Sequence, residues 1–237
     1  MRQNYKSKLY IGEFIVEVLK IGKDAGIVIL SYLIGAVPFC YLIGKLVSGK
    51  KLTEIGDKNP GGWNLVFNVS RMWGILGMIL DVAKGFLPYF LAYRFAEKGL
   101  ISFLGTTNNS LVAMLAGAAA VAGHNYSPYL RFKGGKGVAT WLGFLLAAHP
   151  FTIPCVAFGM VLGLFVAKNM IWAVTISIIF SSTFLWIYRD SIIYLIMMLI
   201  LIAVMIPKQI NYSKKLSTNF KFRKEATVKD LFTPKIR

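Results

Sequence analysis

Seven apolar runs, met one after another along 237 residues, constrain this chain more than any other feature of its sequence. They read as residues 25–47, 72–95, 110–124, 138–149, 151–167, 170–188 and 191–207. A helix that crosses a bilayer needs about 20 predominantly apolar residues. Most of the runs therefore qualify, while 110–124 and 138–149 are short enough to be tilted or re-entrant. Non-helical backbone at membrane depth is tolerated only where protein or a water-filled cavity covers it. Hydrophobic residues make up 56% of the chain, charged residues only 16%, and the mean hydropathy is +0.61, too little polar surface for a soluble domain of this length. The expected fold is an all-α integral membrane protein, a compact bundle of about seven transmembrane helices.

The charges between the runs give an orientation. If residues 48–71, 125–137, Lys168 and 208–237 share one side, that side carries 17 lysines and arginines, and the other carries 7. The positive-inside rule then puts the first group, and the C-terminus, in the cytoplasm. Residues 1–24 mix Lys6, Lys8, Lys20 and Lys23 with Glu13, Glu17 and apolar residues at helical spacing, which reads as an amphipathic extension on the membrane surface rather than a signal peptide. Residues 25–207 form the membrane domain, and 208–237 read as a basic cytoplasmic tail. The formal net charge of +17 does not imply nucleic acid, because the basic residues flank apolar spans instead of gathering on a polar face; anionic lipid headgroups are the expected partners. Cys40 and Cys155 lie inside apolar runs and read as small buried hydrophobes. No internal repeat is apparent.

Chemistry concentrates in three places. The most telling runs from Gly123-His124 through Phe132-Lys133-Gly134-Gly135-Lys136-Gly137-Val138-Ala139-Thr140. Gly134, Gly135 and Gly137 allow backbone N–H groups to approach a ligand closely, and Lys136 among them is the best candidate for a phosphate contact. His124 could orient this loop, touch phosphate or move a proton, and the residue alone does not choose among these roles. A second element, Gly56-Asp57-Lys58-Asn59-Pro60-Gly61-Gly62-Trp63-Asn64 after Ser31 to Pro38 and Gly44-Lys45, has the glycine, asparagine and lysine density of a donor-presenting turn, or of an ordinary loop. The third is the pair Asp81 and Lys84, three residues apart on one helix face inside an apolar span. Ionisable groups in such a position line a polar cavity or brace neighbouring helices.

Other assignments fail. Lys136 is followed by Gly137 rather than Ser or Thr, so the loop is not a Walker A motif, and no Gly-x-Ser-x-Gly elbow exists. Neither His124 nor His149 has Asp five positions on, and two histidines cannot build a histidine-based zinc site. What remains is phosphate handling at a membrane surface, with no metal or cofactor called for.

Together these elements resemble the PlsY family of membrane acyltransferases. The long run from Gly123 to Thr140 carries the resemblance, Leu80-Asp81 with Lys84-Gly85 adds to it, and Pro38, Gly56, Asn59, Gly61 and Asn64 match more weakly, over about residues 27–216. The resemblance implies a seven-helix membrane fold with its site at the cytoplasmic face of the cell membrane. It implies acyl transfer from acyl phosphate to the 1-hydroxyl of glycerol 3-phosphate, giving lysophosphatidic acid and phosphate for phospholipid biosynthesis. It further implies Lys136 and His124 as catalytic residues, and Gly134, Gly135, Gly137, Thr140, Asn59, Gly61, Asn64 and Asn211 as substrate or phosphate contacts, with Lys58 a candidate to supply the charge of an arginine the family has and this chain lacks.

Departures from the family pattern are several. Ala36 stands where the family has serine, Thr53 where it has arginine, Asp57 within a Gly-Ser-Gly-Asn turn, and Val174 near an expected serine; the segment Lys208-Gln209-Ile210-Asn211-Tyr212 lacks the family histidine. Two other readings follow from these losses and from the short helices: a non-catalytic binder of acyl phosphate or anionic lipid, and a small anion transporter.

Overall fold

The computed structural model describes residues 2–95 and 108–219. Within them the chain is helical, with no strand. Helix α1 runs from Arg2–Ala36, followed by α2 (Phe39–Ser48), α3 (Gly62–Asn68), α4 (Arg71–Phe95), α5 (Asn108–Asn125), α6 (Val138–Ala148), α7 (Thr152–Ala167), α8 (Met170–Arg189) and α9 (Ile193–Asn219). Six of the seven apolar runs coincide with one helix each, α4 to α9. The seventh, 25–47, is divided between α1 and α2. Among the described residues, four stretches are long and apolar enough to cross a membrane: Val18–Ser48, Arg71–Phe95, Met170–Arg189 and Ile193–Ile210. Helix α6, at 11 residues, reaches about 16 Å, roughly half a hydrocarbon core.

Helix α1 passes unbroken through position 24, where the amphipathic extension was expected to give way to the first span. The side chains of residues 1–15 lie outside the described residues. Helix α9 likewise continues past 207 to Asn219, while residues 220–237 lie outside the described residues.

The division of the first run has a local cause. Pro38 has no N–H to donate and disfavours helix in the residue before it, so the ladder breaks at Val37. Two side chains from distant parts of the chain, one in the loop after α5 and one in α4, satisfy the carbonyls around the break. Ser127 Oγ donates to the Ala36 carbonyl at 2.6 Å, and Lys84 Nζ to the Val37 carbonyl at 2.7 Å. Such repair is what allows an interrupted helix inside an apolar domain.

Helix packing relies on small residues, as expected where lipid removes most of the hydrophobic drive between helices. Helices α4 and α6 touch backbone to backbone, since a methyl group on Gly85 would strike the Thr140 carbonyl and one on Gly143 would strike Val82. A buried cluster including Ala113, Val121, Trp141, Phe144, Ile178 and Met205 joins α5, α6, α8 and α9. Turns between the later helices use left-handed residues, Lys168 (φ 49°) and Asp190 (φ 48°), and Asn169 Oδ1 caps α8 by accepting from the Ile171 N–H. Large apolar side chains such as Leu46, Phe165, Val166 and Ile187 point outward, a surface suited to lipid.

Candidate active site

The loop between α5 and α6 is held by two helices, α1 and α9. Tyr32 of α1 donates its hydroxyl to the Tyr126 carbonyl at 2.6 Å, next to the Ser127 contact already described. From the other side, Asn125 Nδ2 and the Tyr126 hydroxyl both donate to the Val204 carbonyl of α9, at 3.1 and 3.3 Å. Lys208 of α9 lies over the Tyr126 ring and donates to the Phe132 carbonyl at 3.0 Å. Arg131 and Phe132 are both left-handed, which turns the chain back sharply before Lys133.

The glycine segment sits on His124. The Gly135 N–H donates to the His124 carbonyl at 3.0 Å, and a side chain on Gly135 would collide with the imidazole Nε2. His124 is buried, with Nδ1 3.8 Å from Asp81 Oδ1. The Gly135 amide is therefore engaged within the loop rather than facing outward. The N–H groups of Val138, Ala139 and Thr140 open α6 and have no carbonyl in their own helix to bond. They make that helix end a natural anion site, with Lys136 just before it. Gly137, at φ +81°, makes the N-cap. The Thr140 side chain is fully buried, with Oγ1 unbonded.

Asp81 and Lys84 form a buried ion pair at 2.9 Å, their side chains 3% and 2% exposed. The Cys40 thiol donates to the other Asp81 oxygen at 3.2 Å, so this cysteine is a hydrogen-bond donor as well as the small buried side chain the sequence suggests. With the Lys84 contact to Val37, one network ties the broken first run, α4 and α5 together beneath the loop.

The second loop, 49–61, closes on its own asparagine. Asn64 Nδ2 lies 2.8, 3.0 and 2.9 Å from the carbonyl oxygens of Leu52, Ile55 and Asn59, and Asn64 Oδ1 accepts from Asn68 at 2.7 Å. Asn59 and Asn64 are buried and serve the loop itself; Asn59 Oδ1 has no hydrogen-bond partner. Gly61 is the N-cap of the short α3, and Lys58 is exposed at φ +58°.

The two loops meet through charge. Lys136 Nζ lies 3.3 Å from Asp57 Oδ2, the side chains being 25% and 17% exposed. Sequence reading gave Asp57 no role, although a carboxylate among glycines was a signal in a chain with only ten acidic residues. Of the expected site residues, Gly134, Gly135, Lys136 and Gly137 thus share one segment with His124 beneath it, and Asp57 brings the loop of Lys58, Asn59, Gly61 and Asn64 against it. The side chain of Asn211 lies outside the described residues. Val174 is buried among apolar neighbours in α8.

These features define a class: an all-helical membrane protein in which a basic, glycine-rich segment meets a second polar loop. The chain belongs to the glycerol-3-phosphate acyltransferase family, whose family model matches residues 25–217. A curated relative from Fusobacterium nucleatum, named glycerol-3-phosphate acyltransferase, is 30% identical over 198 residues, covering 83% of this chain and 96% of its own. A Thermosipho melanesiensis relative of the same name is 35% identical over 160 residues, covering 67% and 72%. Among solved structures, PlsY, an integral membrane glycerol 3-phosphate acyltransferase, in its glycerol 3-phosphate form matches with TM-score 0.69 and 29% identity over 89% of this chain and all of that one. Its lysophosphatidic acid form matches with TM-score 0.68 and 28% identity.

Proposed function

We propose that this chain, a membrane glycerol-3-phosphate acyltransferase, takes its acyl group from acyl phosphate and does so on the cytoplasmic side of the cell membrane. The observation that carries this reading is the placement of Lys136 at the opening of α6, in a loop stapled to α1 and α9. Phosphate is common to donor and acceptor, and the site offers what a phosphate takes: a lysine, helix-opening N–H groups and a local positive field.

In this mechanism the 1-hydroxyl oxygen of glycerol 3-phosphate attacks the acyl carbonyl carbon. The new C–O bond forms as the bond to phosphate breaks, and the hydroxyl proton ends on released phosphate or solvent. Acyl phosphate carries a good leaving group, so holding both substrates in line and stabilising the developing charge suffices without a covalent enzyme intermediate. Lys136 touches phosphate. His124 positions the glycine segment from below, and Asp81 and Lys84 hold His124 and the helix break in place. Helix-opening N–H groups take the part that sequence reading gave to the Gly135 amide, and Asn59 and Asn64 shape the 49–61 loop.

The cytoplasmic assignment rests on the excess of lysine and arginine on that side. The division into an amphipathic extension at 1–24, a membrane domain at 25–207 and a basic tail at 208–237 belongs to the same reading, with the tail meeting anionic headgroups on the cytoplasmic side.

The test is phosphate release by purified protein supplied with acyl phosphate, with and without glycerol 3-phosphate. The expected outcome is release that depends on glycerol 3-phosphate and yields lysophosphatidic acid in equal amount. Binding of both substrates without turnover would instead favour the non-catalytic binder.

A further inference from the structure

Phosphate handling does not call for an acid, yet a carboxylate sits on the lysine. Asp57 is fixed where it stands. Its Oδ1 accepts the Asn59 N–H at 3.1 Å, and the Asn59 carbonyl in turn accepts from Asn64. Its Oδ2 is left to face Lys136 across a separation of 79 residues in the chain. Unlike the Asp81–Lys84 pair, this one keeps contact with water on both sides. A pair so placed can open without burying an uncompensated charge.

We propose that Asp57 sets the affinity and charge selectivity of this site, as a tethered anion that holds Lys136 while the site is empty and yields it to a substrate phosphate. The proposal rests on the reading of Lys136 as a phosphate contact. A phosphate brings more negative charge and more acceptor oxygens than a carboxylate, so it displaces Asp57 where chloride or a free carboxylate does not. Each binding event must first break the internal pair, so apparent affinity is the intrinsic affinity multiplied by the fraction of sites in which Lys136 is already released. On departure of phosphate, the carboxylate returns to the lysine and opposes rebinding. The weak anions are rejected by competition rather than by shape.

Asp57→Asn separates the charge from the turn, because the amide oxygen can still accept the Asn59 N–H. Asp57→Ser provides a second neutral variant should the first fold poorly. Binding of glycerol 3-phosphate and of inorganic phosphate to the purified full chain, measured by calorimetry, is the readout. The expected result is binding about five- to tenfold tighter in Asp57→Asn than in wild type. Lys136→Ala should weaken binding, and Asp57→Asn should change it less than about twofold in that background. In the phosphate-release assay, Asp57→Asn should lower the KM for glycerol 3-phosphate by a similar factor, a response that a merely structural role would not produce.

Unchanged or weaker binding by both neutral variants, with Lys136→Ala still abolishing it, would overturn the proposal while sparing the phosphate site. Wild-type binding that survives Lys136→Ala intact would remove the phosphate reading of Lys136, and the proposal with it.

Discussion

Two of the lysine–carboxylate pairs among the described residues, one beneath the glycine loop and one at its edge, differ in almost everything but chemistry. Lys84 and Asp81 lie 2.9 Å apart within a single helix, nearly inaccessible, with Cys40, His124 and the Val37 carbonyl gathered around them. Lys136 and Asp57 lie 3.3 Å apart on two loops and keep partial access to water. The same ion pair is a fastener in the first setting and an exchangeable latch in the second. Burial makes the difference, because a buried charge that loses its partner cannot recover solvation, whereas a half-exposed one can.

The comparison is broken most severely by Asp81→Ala. It leaves Lys84 buried without its counter-charge, and the expected destabilisation is about 3–5 kcal/mol. Thermal unfolding in detergent measures it, and a melting temperature within a degree or two of wild type would show that the network carries little of the fold. A smaller effect is expected where the two regions touch. Gly135→Ala drives a methyl group into the His124 ring, and overpacking of this kind costs about 1–3 kcal/mol. Because the ring rests beneath the loop that holds Lys136, KM should rise together with the loss in melting temperature. A variant with unchanged stability and KM would mean that His124 does not seat the loop.

The two regions were unequally legible in the sequence. Apolar length alone marks α4 to α9, because a membrane helix must be apolar over most of its surface whatever it packs against. The same property hid the break at Val37. The run 25–47 is continuous in hydropathy, and only the distant Ser127 and Lys84 make an interruption there tolerable. Helix spacing sufficed to place Asp81 beside Lys84, a contact three residues apart. No local pattern could pair Asp57 with Lys136, which only the tertiary meeting of two loops brings about. Asn59 and Asn64 look like ligand contacts for a related reason: composition shows that a residue can donate or accept, while the fold decides to whom. Asn64 turns its amide to Leu52, Ile55 and Asn59.

The central claim is that the half-buried lysine, Lys136, works on phosphate while the fully buried one, Lys84, works on the fold. Lys136→Ala tests it most directly, through initial rates of phosphate release from acyl phosphate in the presence of glycerol 3-phosphate, with the melting temperature taken on the same sample. The account predicts a rate lower by about 100- to 1,000-fold and a melting temperature close to that of wild type. A rate within a few fold of wild type, or a loss of rate that merely accompanies unfolding, would contradict it.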